Sequence, residues 1–220
     1  MPVTLHVWRV PRRAVGAALL RLAFTRRRRP GVRFAKFLGT ASGFGPASPD
    51  LTRYAAVTVS DDPVEWPAWD RLAVARCRID LAPLTSRGRW SGREPFGSPA
   101  GGRSDGMVLA LTRARLRPAK VLTFWAAIPP VARELAGRPG LLAGFGFGEA
   151  PIGWQGTVSV WRDAAELTRF AYRQPEHRAV IERTPADRWY AEELFARFAI
   201  RGISGDRAVL GWVAERGSGT

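Results

Sequence analysis

The sequence predicts an α+β fold made of two halves, each a βαββαβ unit. Three observations carry this prediction. Short runs with apolar residues at alternate positions, the period of a half-buried strand, are interleaved with short helix-period segments. The same order of elements recurs on either side of a stretch dense in Gly, Pro and Ser, SGREPFGSPAGGRSDG at 91–106. One phrase (strand, Asp cap, helix) is echoed between the halves, TVSDDPVEWPAW against SVWRDAAELTRF. The halves therefore repeat in structure and not in sequence.

In the first half, Val3–Val10 (VTLHVWRV) alternates as a strand should, and Ala14–Phe24 (AVGAALLRLAF) reads as a helix stopped by an arginine run and Pro30-Gly31. Val32–Leu38 is the second strand, GTASGFGPASPD a loop, and Tyr54–Ser60 the third strand. Asp61-Asp62-Pro63 opens a helix through Leu72, with Asp at the cap and Pro near the first turn, and Ala75–Leu81 is the fourth strand. The second half is predicted as a strand at Val121–Ala127, a helix at Pro130–Ala136, strands at Leu141–Glu149 and Thr157–Trp161, and a helix at Asp163–Arg173 capped by Asp163. Helical turns punctuated by Pro175 and Pro185 precede a last strand at Phe195–Ile203, and the tail after Gly205 is expected to be loose. The predicted division is an N-terminal half at 1–90, a linker at 91–106, a C-terminal half at 107–205 and a flexible tail at 206–220. Each half alone is a ferredoxin-like plait whose antiparallel sheet has one face under helices and the other open. Burying the open faces against each other gives a tandem ferredoxin-like architecture of the dimeric α+β barrel type, with an enclosed apolar cavity between the sheets.

A hydrophobic content of 46% suffices for a core. No stretch approaches the ~20 uninterrupted apolar residues needed to span a bilayer. The N-terminal run lacks the small-residue cleavage site of a secretory signal. A lone cysteine, Cys77, excludes an internal disulfide framework and suits a reducing compartment, so the expectation is a soluble, cytoplasmic protein. The net charge of +15 comes almost wholly from arginine, since the only lysines are Lys36 and Lys120. Such a balance attracts nucleic acid, an anionic membrane surface or an acidic ligand. The basic residues are scattered and not gathered on one helix, which disfavours nucleic acid and fits arginines that merely solvate the surface. The run Arg26–Arg29 complements the C-terminus of the first helix and also suits lipid headgroups, a peripheral membrane contact. Walker loops, zinc-ligand spacings and Ser/His/Asp constellations are not evident. With so few ionisable candidates, an enzyme built on this chain needs a cofactor for difficult chemistry.

Four blocks, FAKFLGTASGFG (34–45), RGRWSGREPF (87–96), LTRARLRPAKVLTFWAAIP (111–129) and GFGEAPIGWQGTVSVWRDAAELTRFAYRQPEHRAVIERTPADRWYAEELFARF (146–198), resemble in order and combination the spheroidene monooxygenase family. The likeness extends over roughly residues 1–203. The second half is also similar to antibiotic-biosynthesis-type monooxygenase domains at Trp161, Asp163 and Pro175-Glu176-His177. What the resemblance implies is a monooxygenase containing haem b that uses dioxygen and an external electron donor to introduce a keto group into an apolar polyene such as a carotenoid. It leaves the oligomeric state open, a homodimer among the options.

Haem iron takes His, Cys thiolate, Tyr or Met as axial ligand. Of the two histidines, His177 follows Pro175 at the start of a helical turn near Phe170 and Tyr172. It is the candidate catalytic residue and axial metal ligand, set against a surface or capping role. His6, mid-strand between Leu5 and Val7, reads as a satisfied sheet histidine. Cys77, between Arg76 and Arg78, is a candidate low-pKa thiolate, although a buried free cysteine is the commoner outcome. Gly144, Gly146 and Gly148 alternate along one strand and leave a side-chain-free face suited to a flat porphyrin or polyene; a bulge or close helix packing is the alternative. No helix opens directly after them, so they are not a dinucleotide fingerprint. Arg87, Arg89 and Arg93 offer planar forks for carboxylates such as haem propionates, or form an ordinary basic loop. Trp90, Trp125, Trp154 and Trp161 supply aromatic area for an elongated ligand, or core. The expected cofactor set is thus His177, Arg87, Arg89, Gly144, Gly146 and Trp161. A non-enzymatic protein binding haem or an apolar ligand on the same fold is the competing expectation.

Overall fold

Strand β1 (Val3–Arg9) shows how alternation becomes structure: Val3, Leu5 and Val7 pack on one side of the sheet, Thr4, His6 and Trp8 on the other. The same division runs through β2 (Val32–Ala41), β3 (Pro49–Ser60), β4 (Ala75–Gly88), β5 (Val108–Leu116), β6 (Leu141–Gly148), β7 (Trp154–Trp161) and β8 (Tyr190–Gly205). In this computed structural model, residues 2–25, 29–43, 49–97, 99, 101–120, 123, 135, 138, 140–149, 154–173 and 190–212 are described. The eight strands close into one antiparallel barrel in the order β1-β3-β2-β6-β7-β5-β8-β4. Within each half the sheet order is alike, β2-β3-β1-β4 and β6-β7-β5-β8. The halves join at two unequal seams. β4 and β8 pair from Cys77↔Gly205 to Gly88↔Leu194, whereas among the described residues the β2–β6 ladder spans Gly39–Ala41 and Gly146–Gly148.

Every strand sends apolar side chains inward, among them Leu5, Val57, Ile79, Leu109, Phe145, Val158 and Phe198. Eight strands leave an interior just wide enough for side chains to fill. The described inward side chains form one buried core, in which each fully buried Leu, Val or Phe contributes about 1.5–3 kcal/mol. Gly156 makes one of the tight approaches possible. A Cβ there would lie 2.2 Å from the Thr112 carbonyl oxygen and 2.3 Å from Phe147 Cζ.

Two smaller cores lie outside the barrel. Helix α1 (Val15–Phe24) follows a single turn at Arg12–Ala14 and ends where Thr25 becomes extended, its hydroxyl donating to the Arg21 carbonyl at 2.6 Å. It buries Ala18, and with α2 (Pro67–Asp70) covers the first sheet through Trp8, Phe37, Trp66 and Trp69. Helix α3 (Ala164–Arg173) is capped as predicted, Asp163 accepting the Glu166 N–H at 2.8 Å, and packs Leu167 and Phe170 on Trp161, Val108 and Ala110.

Several expectations need correction. The helix expected from Asp61 through Leu72 is one turn only, Pro67–Asp70. The strand that opens the second half is Val108–Leu116. Most of the expected strand 121–127 and helix 130–136 falls outside the described residues, but Thr123 is helical. The tail does not loosen immediately after Gly205. Asp206 accepts the Ala208 N–H at 2.8 Å and starts a turn at Arg207–Leu210 that buries Val209 and Leu210 in the barrel core.

Candidate functional site

The two halves differ most on their outer sheet faces. Strand registers align the rows Ala35–Thr58–Thr4–Asp80 and Phe37–Ala56–His6–Arg78 across the first sheet. In the same topological positions the second sheet carries Gly144–Ser159–Ala110–Arg197 and Gly146–Thr157–Thr112–Phe195. The first face is filled with aromatic rings. Phe37 lies 4.7 Å from Trp66 and 5.8 Å from Trp69, and Trp69 lies 5.3 Å from both Trp8 and Tyr54, measured between ring centroids. Among the described residues the second face carries Gly, Ala, Ser and Thr along β6, β7 and β5, with α3 packed over Ala110 and Phe195 and Arg197 at the β8 side. Its glycines turn outward because Phe145 and Phe147 take the inward positions between them.

Polar groups on this floor are few and placed. Thr112 and Thr157 share a hydrogen bond of 2.7 Å between hydroxyls. Trp161 is buried, its ring 5.3 Å from Phe170 and its indole N–H donated to Ser159 at 2.9 Å, so it walls the floor at the α3 end. Arg87 stands at the β8 rim, its guanidinium 5.3 Å from the centre of the Phe195 ring and 3.9 Å from Glu193. Arg89 turns away and pairs with Glu94 at 3.5 Å in an exposed turn. Of the predicted set, Gly144, Gly146, Trp161 and Arg87 converge on one face; Arg89 does not join them. His177 and Trp125 lie outside the described residues.

Two other predicted candidates sit elsewhere. Cys77 faces the barrel core, and burial pushes its thiol up to about 11, so the low-pKa thiolate is not formed. His6 is buried on the first sheet against Trp8, ring centroids 5.5 Å apart, and is not the satisfied histidine expected. Neither ring nitrogen has a hydrogen-bond partner among the described residues, Glu65 Oε2 stopping 4.0 Å from Nε2. Burial drives its pKa down to about 4, with Glu65 opposing, Arg78 assisting, and Asp70 and Asp80 opposing more weakly.

Sequence reasoning missed a buried ionic network inside the barrel mouth. Lys36 pairs with Glu149 at 2.8 Å and donates to the Ser91 hydroxyl at 2.7 Å. Glu149 also accepts from the Trp90 indole at 2.6 Å and from Arg113 Nε at 3.0 Å. Arg113 reaches on to Glu192, which takes the Ser91 and Gly92 N–H groups at 2.9 and 2.7 Å. Burial alone would raise the Glu192 carboxyl, but these two backbone donors and Arg113 hold it below the ordinary carboxylate range. Trp90 belongs to this plug, stacked 5.9 Å from Phe147 and fully buried, so it is core. The available signal was the presence of Lys36, Trp90, Arg113, Glu149 and Glu192 within the four recognised blocks.

A heme-sized ligand needs a flat floor, anion-pairing cations at the rim and an axial donor. The floor and Arg87 meet the first two needs. Strands β5–β8 contain no His, Cys or Met, and their one tyrosine, Tyr190, stands opposite Leu116 at the start of β8.

Comparison with known proteins follows the same direction. No family model matches the chain. It is 33% identical over 190 residues to spheroidene monooxygenase of Rhodobacter capsulatus, spanning 80% of this chain and 78% of that protein. It is 34% identical over 189 residues to spheroidene monooxygenase of Rubrivivax gelatinosus, spanning 80% of this chain and 72% of that one. Among solved structures, an aldoxime dehydratase shares the fold at a TM-score of 0.57 and 12% identity, covering 90% of this chain and 80% of its own. At such identity over most of both chains, this chain belongs to the spheroidene monooxygenase family.

Proposed function

We propose that this chain, a monooxygenase by family, depends on haem b and introduces oxygen as a keto group into a carotenoid or similar apolar polyene. The observation that carries the proposal is the contrast, among the described residues, between the outer faces: one filled by Phe37, Trp66 and Trp69, the other carrying Gly144, Gly146, Thr112 and Thr157. Interior glycine weakens a strand, so two of them facing outward beside hydroxyl and methyl groups suit the close approach of a flat macrocycle. In this reading the halves are tandem ferredoxin-like units and the one at 107–205 carries the site.

Gly144 and Gly146 would form the floor for the haem, Trp161 would close the α3 end, and Arg87 would pair a propionate at the rim, whereas Arg89 is held away by Glu94. His177 would hold the haem iron. Haem, when bound, supplies the activation of dioxygen, with electrons from an external donor. The chain's own residues would hold the haem, and the hydrogen-bonded Thr112–Thr157 pair would present a hydroxyl proton on the same face.

The test is the visible absorption spectrum of the chain expressed with ample haem, beside His177→Ala and Gly146→Phe, followed by mass spectrometry of a polyene substrate. A stoichiometric Soret band, shifted or lost in His177→Ala and lost in Gly146→Phe, with a product carrying a new carbonyl, is the expected result. A band unchanged in Gly146→Phe overturns the floor assignment; no band in the wild type overturns haem dependence.

A further inference from the structure

The first 49 residues carry nine arginines and one lysine and no acidic residue, Asp50 being the first. Most of the net charge of +15 thus belongs to the segment that includes α1. This helix also breaks the pattern of a helix packed on a sheet. Ala18 is buried, but Leu19, Leu20 and Phe24 are 45%, 63% and 78% exposed. Leu20 and Phe24 are one helical turn apart and, with Ala17, Trp66, Pro67 and Ala68, line a groove of about 770 Å³ between α1 and α2.

The groove is edged with cations. Arg21, Arg29 and Arg71 line it, Arg12 and Arg13 are exposed at the start of α1, and Arg26–Arg28 follow its end in the sequence. Arg21 Nε is buried with no hydrogen-bond partner among the described residues. The nearby acids are already matched: Asp70 accepts from Trp8 at 2.8 Å and pairs with Arg76 at 3.1 Å, and Glu65 takes Arg78 at 2.5 Å. An apolar ridge edged by cations that pair with no carboxylate among the described residues is complementary to one kind of surface, an anionic bilayer, where the apolar face enters the acyl boundary and the arginines meet phosphate. A helix of ten residues is about 15 Å long, half of the hydrocarbon thickness, so it lies in the interface and does not cross.

We infer that α1 and the α1–α2 groove form a docking surface for an anionic phospholipid membrane, with Leu20 and Phe24 as the inserted anchors. This goes beyond the oxidation chemistry and does not depend on it, because the readout is partition and not turnover.

The test is co-sedimentation of the full chain with vesicles of phosphatidylcholine alone or mixed with phosphatidylglycerol. Binding to the mixed vesicles only, weakened by salt, is expected. L20S/F24S should lose at least about tenfold in vesicle affinity, as burial of two large apolar side chains requires. R12E/R13E should lose affinity through the electrostatic part alone. Both pairs are exposed, so thermal melting of the variants should match the wild type. No binding to mixed vesicles, or binding indifferent to L20S/F24S, overturns the inference. Binding of duplex DNA with the same sensitivity to L20S/F24S, or self-association through this face without vesicle binding, also overturns it.

Discussion

His6 makes this protein's stability depend on pH in a way that can be calculated from its surroundings. It is buried against Trp8, without a hydrogen-bond partner at either ring nitrogen among the described residues, and held at a pKa of about 4 against 6.5 for the free side chain. A histidine with a lowered folded-state pKa stays neutral in the fold while the unfolded chain takes up the proton. Its full contribution is therefore present above pH 6.5, is lost as pH falls from there toward 4, and changes no further below. The whole gap corresponds to about 3 kcal/mol, and about 2 kcal/mol of it is lost between roughly pH 7.5 and 5. The comparison is His6→Leu, which keeps an apolar group beside Trp8 and removes the titration. Urea unfolding of both proteins at the two pH values gives the difference, and contributions from carboxylates such as Asp50 and Glu192 are common to both and cancel. The wild type should lose about 2 kcal/mol relative to His6→Leu on acidification. Equal losses in both proteins, or a relative gain by the wild type, would refute the burial argument.

Three further outcomes are expected. Glu149→Ala removes the counter-charge shared by Lys36 and Arg113 inside the barrel mouth and should cost about 3–5 kcal/mol, read as a lower unfolding midpoint in guanidinium. Gly156→Ala places a Cβ 2.2 Å from the Thr112 carbonyl oxygen and should destabilise by about 1–3 kcal/mol in the same assay. Cys77, buried and with its pKa raised to about 11, should resist a thiol reagent at neutral pH and react only on unfolding; rapid labelling of the native chain would contradict its placement in the core.

Particular residues explain which parts of this molecule were legible in the sequence. β1 and β3 alternate cleanly, because one side faces the core and the other a helix layer, and their registers follow. The capped helix after β7 was equally plain, since Asp163 satisfies an N–H in the first turn. β5 was hidden by its own chemistry. Arg113 occupies an inward position, and an arginine in the apolar phase breaks the periodic signal that marks a strand. Its place makes sense only once Glu149 and Glu192, far off in sequence, are brought beside it. The glycine face of β6 was visible as a pattern, but its meaning came from the three-dimensional contrast with the tryptophan-filled face opposite. His6 was misjudged for the complementary reason, because no local pattern reveals that a strand histidine will find no partner across the sheet.

The inequality of the two seams gives the barrel a hinge. Pairing along β4 and β8 extends from Cys77 to Gly88, while β2 and β6 are stitched over three residues with help from Lys36–Glu149 on one side and the Gly146 N–H donated to the Gly43 carbonyl at 2.8 Å. If the closed wall breathes, it parts at the short stitch first, and the molecule opens like a book whose spine is β4–β8. The page edge that lifts carries Gly146, so amide exchange of the β2–β6 stitch should report on the same movement that loosens the floor of the second sheet.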